Sequence, residues 1–549
     1  MSENPFPNLL TAIYGAETAA QVAPRLRALI ERYRGRIPAP ADASLSERDA
    51  MLITYGDQVQ APGRPHLQTL AAFCDAHLRG VVSAVHILPF YPWSSDDGFS
   101  VKDYRAVDPA LGDWRDVEKL GWAYRLMFDG VINHASAQGE WFQAFLRDEA
   151  PYRDYFLSVD GSPDLSNVVR PRTLPLLTEF QTAAGPRNAW TTFSADQVDL
   201  DYHNPAVLLE IFDILLEYAQ RGAQFLRLDA IAYLWKEIGT PCIHLPQTHA
   251  AIQLLRAVLD EAAPHVYLIT ETNVPHQDNL SYFGDGTNEA QLVYNFALPP
   301  LVLHTFRTGD ASALSAWAAG LALPSARTTF FNFLASHDGI GLNPARGILS
   351  PAEVEGLVEQ ALAHGGRISY KQNPDDSQSP YELNISYFDA LSNPAQEEPV
   401  ALQAGRFLSA QAIMLALQGM PGIYFHSLVG SRNWQEGVQQ TGHNRTINRQ
   451  KLALADLDRA LAHPGSLRAR VFNGYRRLLA QRAASPAFHP HGGQEILDMG
   501  RGVFAVLRTS PGGDERVLCL QNVTAHKQAA RNYQLKPYQT IWIQNPGTL

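Results

Sequence analysis

FLRLDAIAY, residues 225–233, is an apolar run of strand length interrupted by one cation and one carboxylate, Arg227 and Asp229. Side chains two apart on a strand point to the same face. An unpaired charge in a strand interior is costly, so two ionisable residues at the end of such a run mark a candidate active site. Whether they form one depends on what else the chain brings to the same place.

Seven further apolar runs have strand length: MLITYGD (51–57), SAVHILPF (83–90), YRLMFDGVINH (124–134), VYLITETN (266–273), QLVYNF (291–296), TTFFNFLASHD (328–338) and PGIYFHS (421–427). Segments with helical periodicity, such as NPAVLLEIFDILLEYAQRG (204–222) and THAAIQLLRAVLDEAA (248–263), separate most of them. Eight strands alternating with helices predict an α/β chain built on a (β/α)8 barrel. The barrel is expected over 50–134, 205–338 and 396–485. Residues 135–204 and 339–395 are longer than barrel helices need and read as insertions after strands three and seven, at the end where such barrels place their sites. Residues 1–49, with TAAQVAPRLRALIERYRG, read as a helical extension that packs on the barrel or on a second copy. Residues 486–549 carry GVFAVLRT, RVLCLQNVT and YQTIWIQ and predict a C-terminal β domain.

Bulk properties exclude several classes. A hydrophobic share of 46% with 18% charged residues describes a packed globular chain. The net charge of −11 argues against a nucleic-acid surface or an acidic membrane partner, and requires that an anionic substrate meet a local cation. Cys74, Cys242 and Cys519 are too scattered for a disulfide framework or a metal cluster. The start MSENPFPNLL lacks the features of a signal peptide, and no uncharged apolar run reaches the ~18 residues of a membrane span. A cytoplasmic protein is expected, and a homodimer is compatible with the sequence.

Asp229 and Arg227 end the fourth run, Glu271 the fifth, and His337 and Asp338 the seventh; Asp129, Asn133 and His134 close the third. Three carboxylates (Asp229, Glu271 and Asp338) converging on one barrel mouth suit chemistry at an acetal carbon: one attacks, another protonates the leaving oxygen, and the third stabilises developing positive charge. Spacing alone leaves the assignment of the three roles open. Arg227 beside Asp229 is expected to keep that carboxylate ionised. No metal or cofactor is required. Asn133 has no convincing set of fellow ligands, and His86 reads as a packed, hydrogen-bonded residue.

DGVINH (129–134), FLRLDAIAY (225–233), ITETN (269–273) and FLASHD (333–338) resemble, in order, the four signature segments of glycoside hydrolase family 13, the α-amylase superfamily of retaining α-glucosidic enzymes. The resemblance runs from about residue 50 to the C-terminus. It implies Asp229 as nucleophile, Glu271 as general acid/base and Asp338 as transition-state stabiliser, with Arg227, His134 and His337 holding the nucleophile and the glucosyl ring. HILPFYPWSSDDGFSVKDYRAVDPALGDW (86–114), VRPR (169–172), YNFALPPLVLHT (294–305) and NRTINR (444–449) are similar to the sucrose phosphorylase subfamily, which transfers glucose from an α-glucoside to inorganic phosphate. That similarity implies Asp96 and Arg445 on the far glucose hydroxyls, Phe193 and Tyr233 as apolar walls, Arg172 on phosphate, and Tyr381 and Glu382 at the acceptor.

YELN (381–384) with GVQQTGHNRTINR (437–449) looks most like the glucosylglycerate phosphorylase branch, because Glu382 stands where the sucrose enzymes typically have glutamine. The implied reaction moves glucose from 2-O-α-glucosylglycerate to phosphate by double displacement, giving α-glucose 1-phosphate and glycerate. Sucrose or sucrose 6′-phosphate phosphorolysis, glucosylglycerol phosphorolysis, and hydrolysis or transglucosylation are the alternatives. Glu382 is expected either to accept hydrogen bonds from glycerate hydroxyls or to hold a nearby arginine.

Overall fold

The structure, a computed structural model, describes residues 5–547. Eight parallel strands close into a barrel: β1 (Met51–Thr54), β2 (Ala84–Ile87), β3 (Arg125–Gly130), β4 (Ala223–Leu228), β5 (Tyr267–Thr270), β6 (Leu292–Tyr294), β7 (Thr329–Asn332) and β8 (Met420–Tyr424). Each of the eight apolar runs contributes one strand. Neighbours follow chain order, and β8 closes the ring on β1, with Leu52 opposite Ile423. Nearly all strand residues are buried, as expected where helices cover one face and side chains fill the other.

The strands are shorter than the runs that announced them, and this decides where the chemistry lies. β7 ends at Asn332, so His337 and Asp338 stand on the irregular segment beyond it. β3 ends at Gly130, and His134 belongs to a separate short strand, His134–Ser136, paired antiparallel with Gln197–Asp199. Asp229 and Glu271, by contrast, follow β4 and β5 directly.

Both long segments depart from the C-terminal ends of their strands. Residues 135–204 hold a helix, Glu140–Leu146, and a three-stranded antiparallel sheet centred on Gly185–Trp190. Residues 339–395 hold a helix, Pro351–Ala363, and a hairpin, Arg367–Gln372 with Gln378–Asn384. The C-terminal segment forms a four-stranded antiparallel sheet to which each of the three runs read from the sequence gives one strand; Gly493–Ile496 adds the fourth, at an edge.

At the N-terminus, α1 (Phe6–Tyr14) and α2 (Ala16–Tyr33) pack on the barrel helices α3 (Pro205–Gln220) and α4 (Pro246–Ala262). Val22, Leu26, Leu29 and Ile30 of α2 are buried at helical spacing. Arg32 reaches Asp213 at 3.1 Å and Arg27 reaches Glu261 at 2.7 Å. These rim pairs are half exposed and add little; the apolar stripe supplies the attachment.

Candidate active site

Strand register builds the base of the site. Arg227 on β4 lies opposite Asp129 on β3, and its Nη1 donates both to Asp129 and, at 3.0 Å, to Asp229 Oδ1. Its Nη2 stands 3.8 Å from Glu271 Oε2. Asp129 in turn receives His86 Nε2 at 2.7 Å, with both side chains fully buried. His86 is thus a hydrogen-bonded core residue at the foot of the site. Just past Asp229 the chain turns through a left-handed residue, Ala230 (φ 50°), whose N–H donates to Glu271 Oε2 at 3.0 Å. One tight turn therefore places the two carboxylates in touch with the same stretch of main chain.

The third carboxylate, Asp338, forms an ion pair with Arg445 Nη1 at 2.6 Å and stands 3.4 Å from His337 Nε2. Arg445 is the hub of the opposite wall. Its Nη2 and Nε also make a two-pronged pair with Glu382 at 2.6 and 3.2 Å, and its Nη1 lies 3.9 Å from Asp96. Of the two readings of Glu382 open in the sequence, the structure shows the one in which it holds an arginine.

Asp96, His134, Arg172, Phe193, Asp229, Tyr233, Glu271, His337, Asp338, Tyr381, Glu382 and Arg445 line one cavity, with about 650 Å³ of space between its walls, the open mouth included. Arg227, Asp129, Asn133 and His86, also singled out in the sequence, lie behind the wall instead of on it. Phe193 and Tyr233 meet edge to face at 5.7 Å. His134 lines the cavity, but its Nε2 faces the Phe99 carbonyl at 2.8 Å. The Arg172 guanidinium lies 5.6 Å from the Phe193 ring and 5.5 Å from the Tyr381 ring, donating to the Pro171 carbonyl at 3.2 Å. Among the described residues it forms no ion pair with a carboxylate, unlike Arg445.

Sequence reasoning missed several lining groups. Phe99 stacks on the His337 ring at 4.5 Å, and Gln197 donates to the Phe99 carbonyl at 3.2 Å. Neither carries a charge, and Gln197 reaches the site only because its strand pairs with that of His134. Asn273 and Phe296 also face the cavity. Asn133 gives its Oδ1 to the Lys236 ammonium at 2.8 Å, and that ammonium pairs Asp199 at 2.6 Å. The chain's own cation thus occupies the space between Asn133 and Asp199.

Electrostatics separate the three carboxylates. Burial pushes Asp229 well above the usual carboxylate range; Arg227 opposes this, while Glu271 and Asp129 add to it. Arg227 pulls the Asp229 carboxyl down, but its guanidinium is shared with Asp129, and desolvation pushes the other way. Glu271 is raised as well, by burial first, against the pull of Arg227. Buried carboxylates that interact in this way titrate as a pair, and burial favours the protonated form of both. Asp338 goes the other way. Burial raises it, but Arg445, His337 and Arg449 together hold it well below the usual range. Burial also lowers His337 far enough to keep its imidazole neutral. The site therefore offers one carboxylate held as an anion beside two that burial pushes toward the protonated form, groups suited to attack and protonation at an acetal.

A sequence family described as alpha amylase, catalytic domain, matches residues 79–338. The glucosylglycerate phosphorylase of Allomeiothermus silvanus is 52% identical over 535 residues, spanning 95% of this chain and 96% of that protein. That of Escherichia coli strain K12 is 44% identical, spanning 97% of this chain and 98% of the relative. Among solved structures, the sucrose 6F-phosphate phosphorylase of Thermoanaerobacter thermosaccharolyticum superposes with a TM-score of 0.77 at 24% identity, covering 92% of this chain and 98% of that one. This last likeness is one of fold.

Proposed function

The chain belongs to glycoside hydrolase family 13, the α-amylase family, and from that premise we propose that it is a retaining phosphorylase of 2-O-α-glucosylglycerate. Near full-length identity of 44–52% to two glucosylglycerate phosphorylases supports the choice of substrate. The observation that carries phosphorolysis is Arg172, a guanidinium without a carboxylate partner on a wall otherwise rich in anions. Phosphate entering such a pocket needs that cation, and a planar guanidinium suits its oxygens.

In this reading the Asp229 carboxylate attacks the anomeric carbon while Glu271 gives its proton to the departing glycerate oxygen. The glycosidic C–O bond breaks and a glucosyl ester forms on Asp229. Phosphate then loses a proton to Glu271, its oxygen attacks the same carbon, and the ester bond breaks to give α-glucose 1-phosphate with net retention. Asp338 balances the positive charge that develops on the ring. Asp96 and Arg445 take the far hydroxyls, with Phe193 and Tyr233 against the apolar faces and Tyr381 beside the acceptor. Residues 135–204 and 339–395 serve as the two walls, bringing Arg172 and the Tyr381–Glu382 pair to the mouth. Three buried, unpaired thiols suit a reducing cytoplasm.

The test supplies phosphate and, separately, glucosylglycerate, glucosylglycerol, sucrose and sucrose 6′-phosphate, and measures glucose 1-phosphate. Glucosylglycerate is expected to react fastest and only when phosphate is present. Release of free glucose at the same rate without phosphate would replace the reading with a hydrolase; faster turnover of another donor would replace the substrate.

Glu382 acts in this scheme through Arg445. Glu382→Gln keeps the shape but removes the charge that fixes the guanidinium, and a charge-assisted pair of this kind is worth about 1.5–3 kcal/mol. The expected outcome is a fall in kcat/KM for glucosylglycerate of roughly tenfold or more, with the preference over sucrose reduced. An unchanged ratio between the two donors rules out a part for Glu382 in selecting the donor.

A further inference from the structure

Three successive residues at the cavity rim have positive φ: Asp96 at 52°, Asp97 at 49° and Gly98 at 110°. Gly98 is required there, since a Cβ would stand 2.6 Å from the Pro89 carbonyl. The two aspartates have no such freedom, and a left-handed L-residue is strained by about 1–2 kcal/mol. Strain of this kind persists only where surrounding contacts over-determine it.

The contacts come from one residue to which the proposed mechanism gives no task. Arg449 has only 3% of its side chain exposed. Its Nη1 donates to Asp97 Oδ2 at 2.7 Å and lies 3.4 Å from Asp96 Oδ1. Its Nε donates to the main-chain carbonyl of His337 at 2.9 Å, the peptide that leads into Asp338. Its Nη2 has no hydrogen-bond partner and lies 4.0 Å from Asp338 Oδ1. Arg445 lies on the 3-10 turn Asn444–Asn448, and Arg449 follows directly, so one short segment grips both the loop after β2 and the segment after β7. Arg449 itself does not line the cavity, whereas Asp96 and Asp338 both do.

We infer that Arg449 is a positioning residue of the glucose site: it locks the strained Asp96–Asp97 turn to the main chain before Asp338, so that both carboxylates face the sugar. The inference rests on the reading of this cavity as a glucosyl pocket. Asp97 is the outer end of the lock and Asp96 the end that meets the sugar. Removing Asp97 should therefore loosen glucose binding although Asp97 touches no substrate.

Glucose binding by titration calorimetry tests this independently of turnover. Asp97→Gly is the informative variant, because glycine accepts φ near 49° without strain, and that relief should offset part of the stability lost with the pair to Arg449. Its glucose affinity is expected to fall roughly 3- to 10-fold, and that of Arg449→Met about tenfold or more, as loss of a charge-assisted pair implies. The double variant should bind no more weakly than Arg449→Met, since both changes open one lock. Among turnover parameters, the KM for glucosylglycerate should rise more than kcat falls, with the KM for phosphate unmoved. Wild-type affinity in Asp97→Gly, or losses that multiply in the double variant, overturns the inference. A wild type that binds glucose but forms no glucose 1-phosphate overturns the proposed reaction and leaves the lock decided by the titration. A wild type that binds no glucose removes both.

Discussion

Asp229→Asn is expected to abolish glucosyl transfer, by about 10⁴-fold or more as for loss of a covalent nucleophile, and at the same time to make the protein more stable. Glu271→Gln should lose about 10²–10⁴-fold, the contribution of a general acid/base, with the same gain in stability. The gain follows from the sign of the shifts. Burial raises both carboxyls above their unfolded values, so the folded state favours the protonated form. Their contribution to stability is full below the unfolded pKa and is lost as pH rises through the folded one. At neutral pH the native chain holds a pair it would fold more easily without, and an uncharged isostere removes that strain, by on the order of 1–2 kcal/mol. Arg227 is not orphaned in either variant, since Asp129 still pairs it.

Asp338→Asn provides the internal control. Its carboxyl is held below its unfolded value by Arg445, His337 and Arg449 against its burial. That stability is present above the unfolded pKa and is lost only as pH falls through the folded one. The asparagine variant should therefore be inactive and also less stable, by about 2 kcal/mol, the worth of a charge-assisted hydrogen bond. Urea unfolding at pH 7 would show Asp338→Asn moving opposite to the other two; a fall in midpoint for all three would mean that the buried pair does not strain the fold. Protonation of the same pair shapes the rate. Turnover needs one proton on the pair, so activity should fall both on gaining a second and on losing the first. The alkaline limb should lie well above the ordinary carboxylate range.

The barrel was legible because a strand buried on both faces leaves a continuous apolar run, and eight such runs survived the intervening insertions. Asp229 and Glu271 were legible for the same reason: each ends its run directly. Asp338 was found although its strand stops at Asn332, because the run FFNFLAS stays apolar beyond the last ladder bond. What composition could not show is who pairs with whom. The hold of Asp129 on Arg227, which divides the guanidinium between two carboxylates, is a fact of register between β3 and β4. Glu382 could be named from its position, but its engagement with Arg445 joins residues 63 apart, one in the insertion after β7 and the other in the segment after β8. Gln197 and Phe99 carry no ionisable group and leave no mark in a search for charges. Arg449 lay within the quoted NRTINR and received no role, since its partners, Asp97 and the carbonyl of His337, are brought to it only by the fold.

Arg172→Ala is expected to change the reaction more than it slows the first step. The guanidinium lies between the Phe193 and Tyr381 rings and is not neutralised by a carboxylate among the described residues. Attack by Asp229 on the donor places no new anion beside it, whereas the second half-reaction brings a phosphate into a pocket that also holds Asp96, the Glu271 carboxylate left after proton donation, and the Asp338 and Glu382 carboxylates paired with Arg445. Without Arg172 the approaching dianion meets those carboxylates unscreened, and loss of one or two charge-assisted bonds amounts to roughly 10–10³-fold in kcat/KM for phosphate. Water needs no cation, so the glucosyl ester on Asp229 should still be released as free glucose. The variant should thus turn from phosphorylase toward hydrolase, measured as the ratio of glucose 1-phosphate to glucose from one donor. Arg172→Lys should recover only part of that ratio, because an ammonium is a point charge and does not form the paired bonds of a planar fork. Glycerate is an anion too, so the KM for glucosylglycerate should rise in the alanine variant, whereas an uncharged donor such as sucrose should keep its KM. If the product ratio stays at the wild-type value, Arg172 is a loop arginine and the phosphate is held elsewhere.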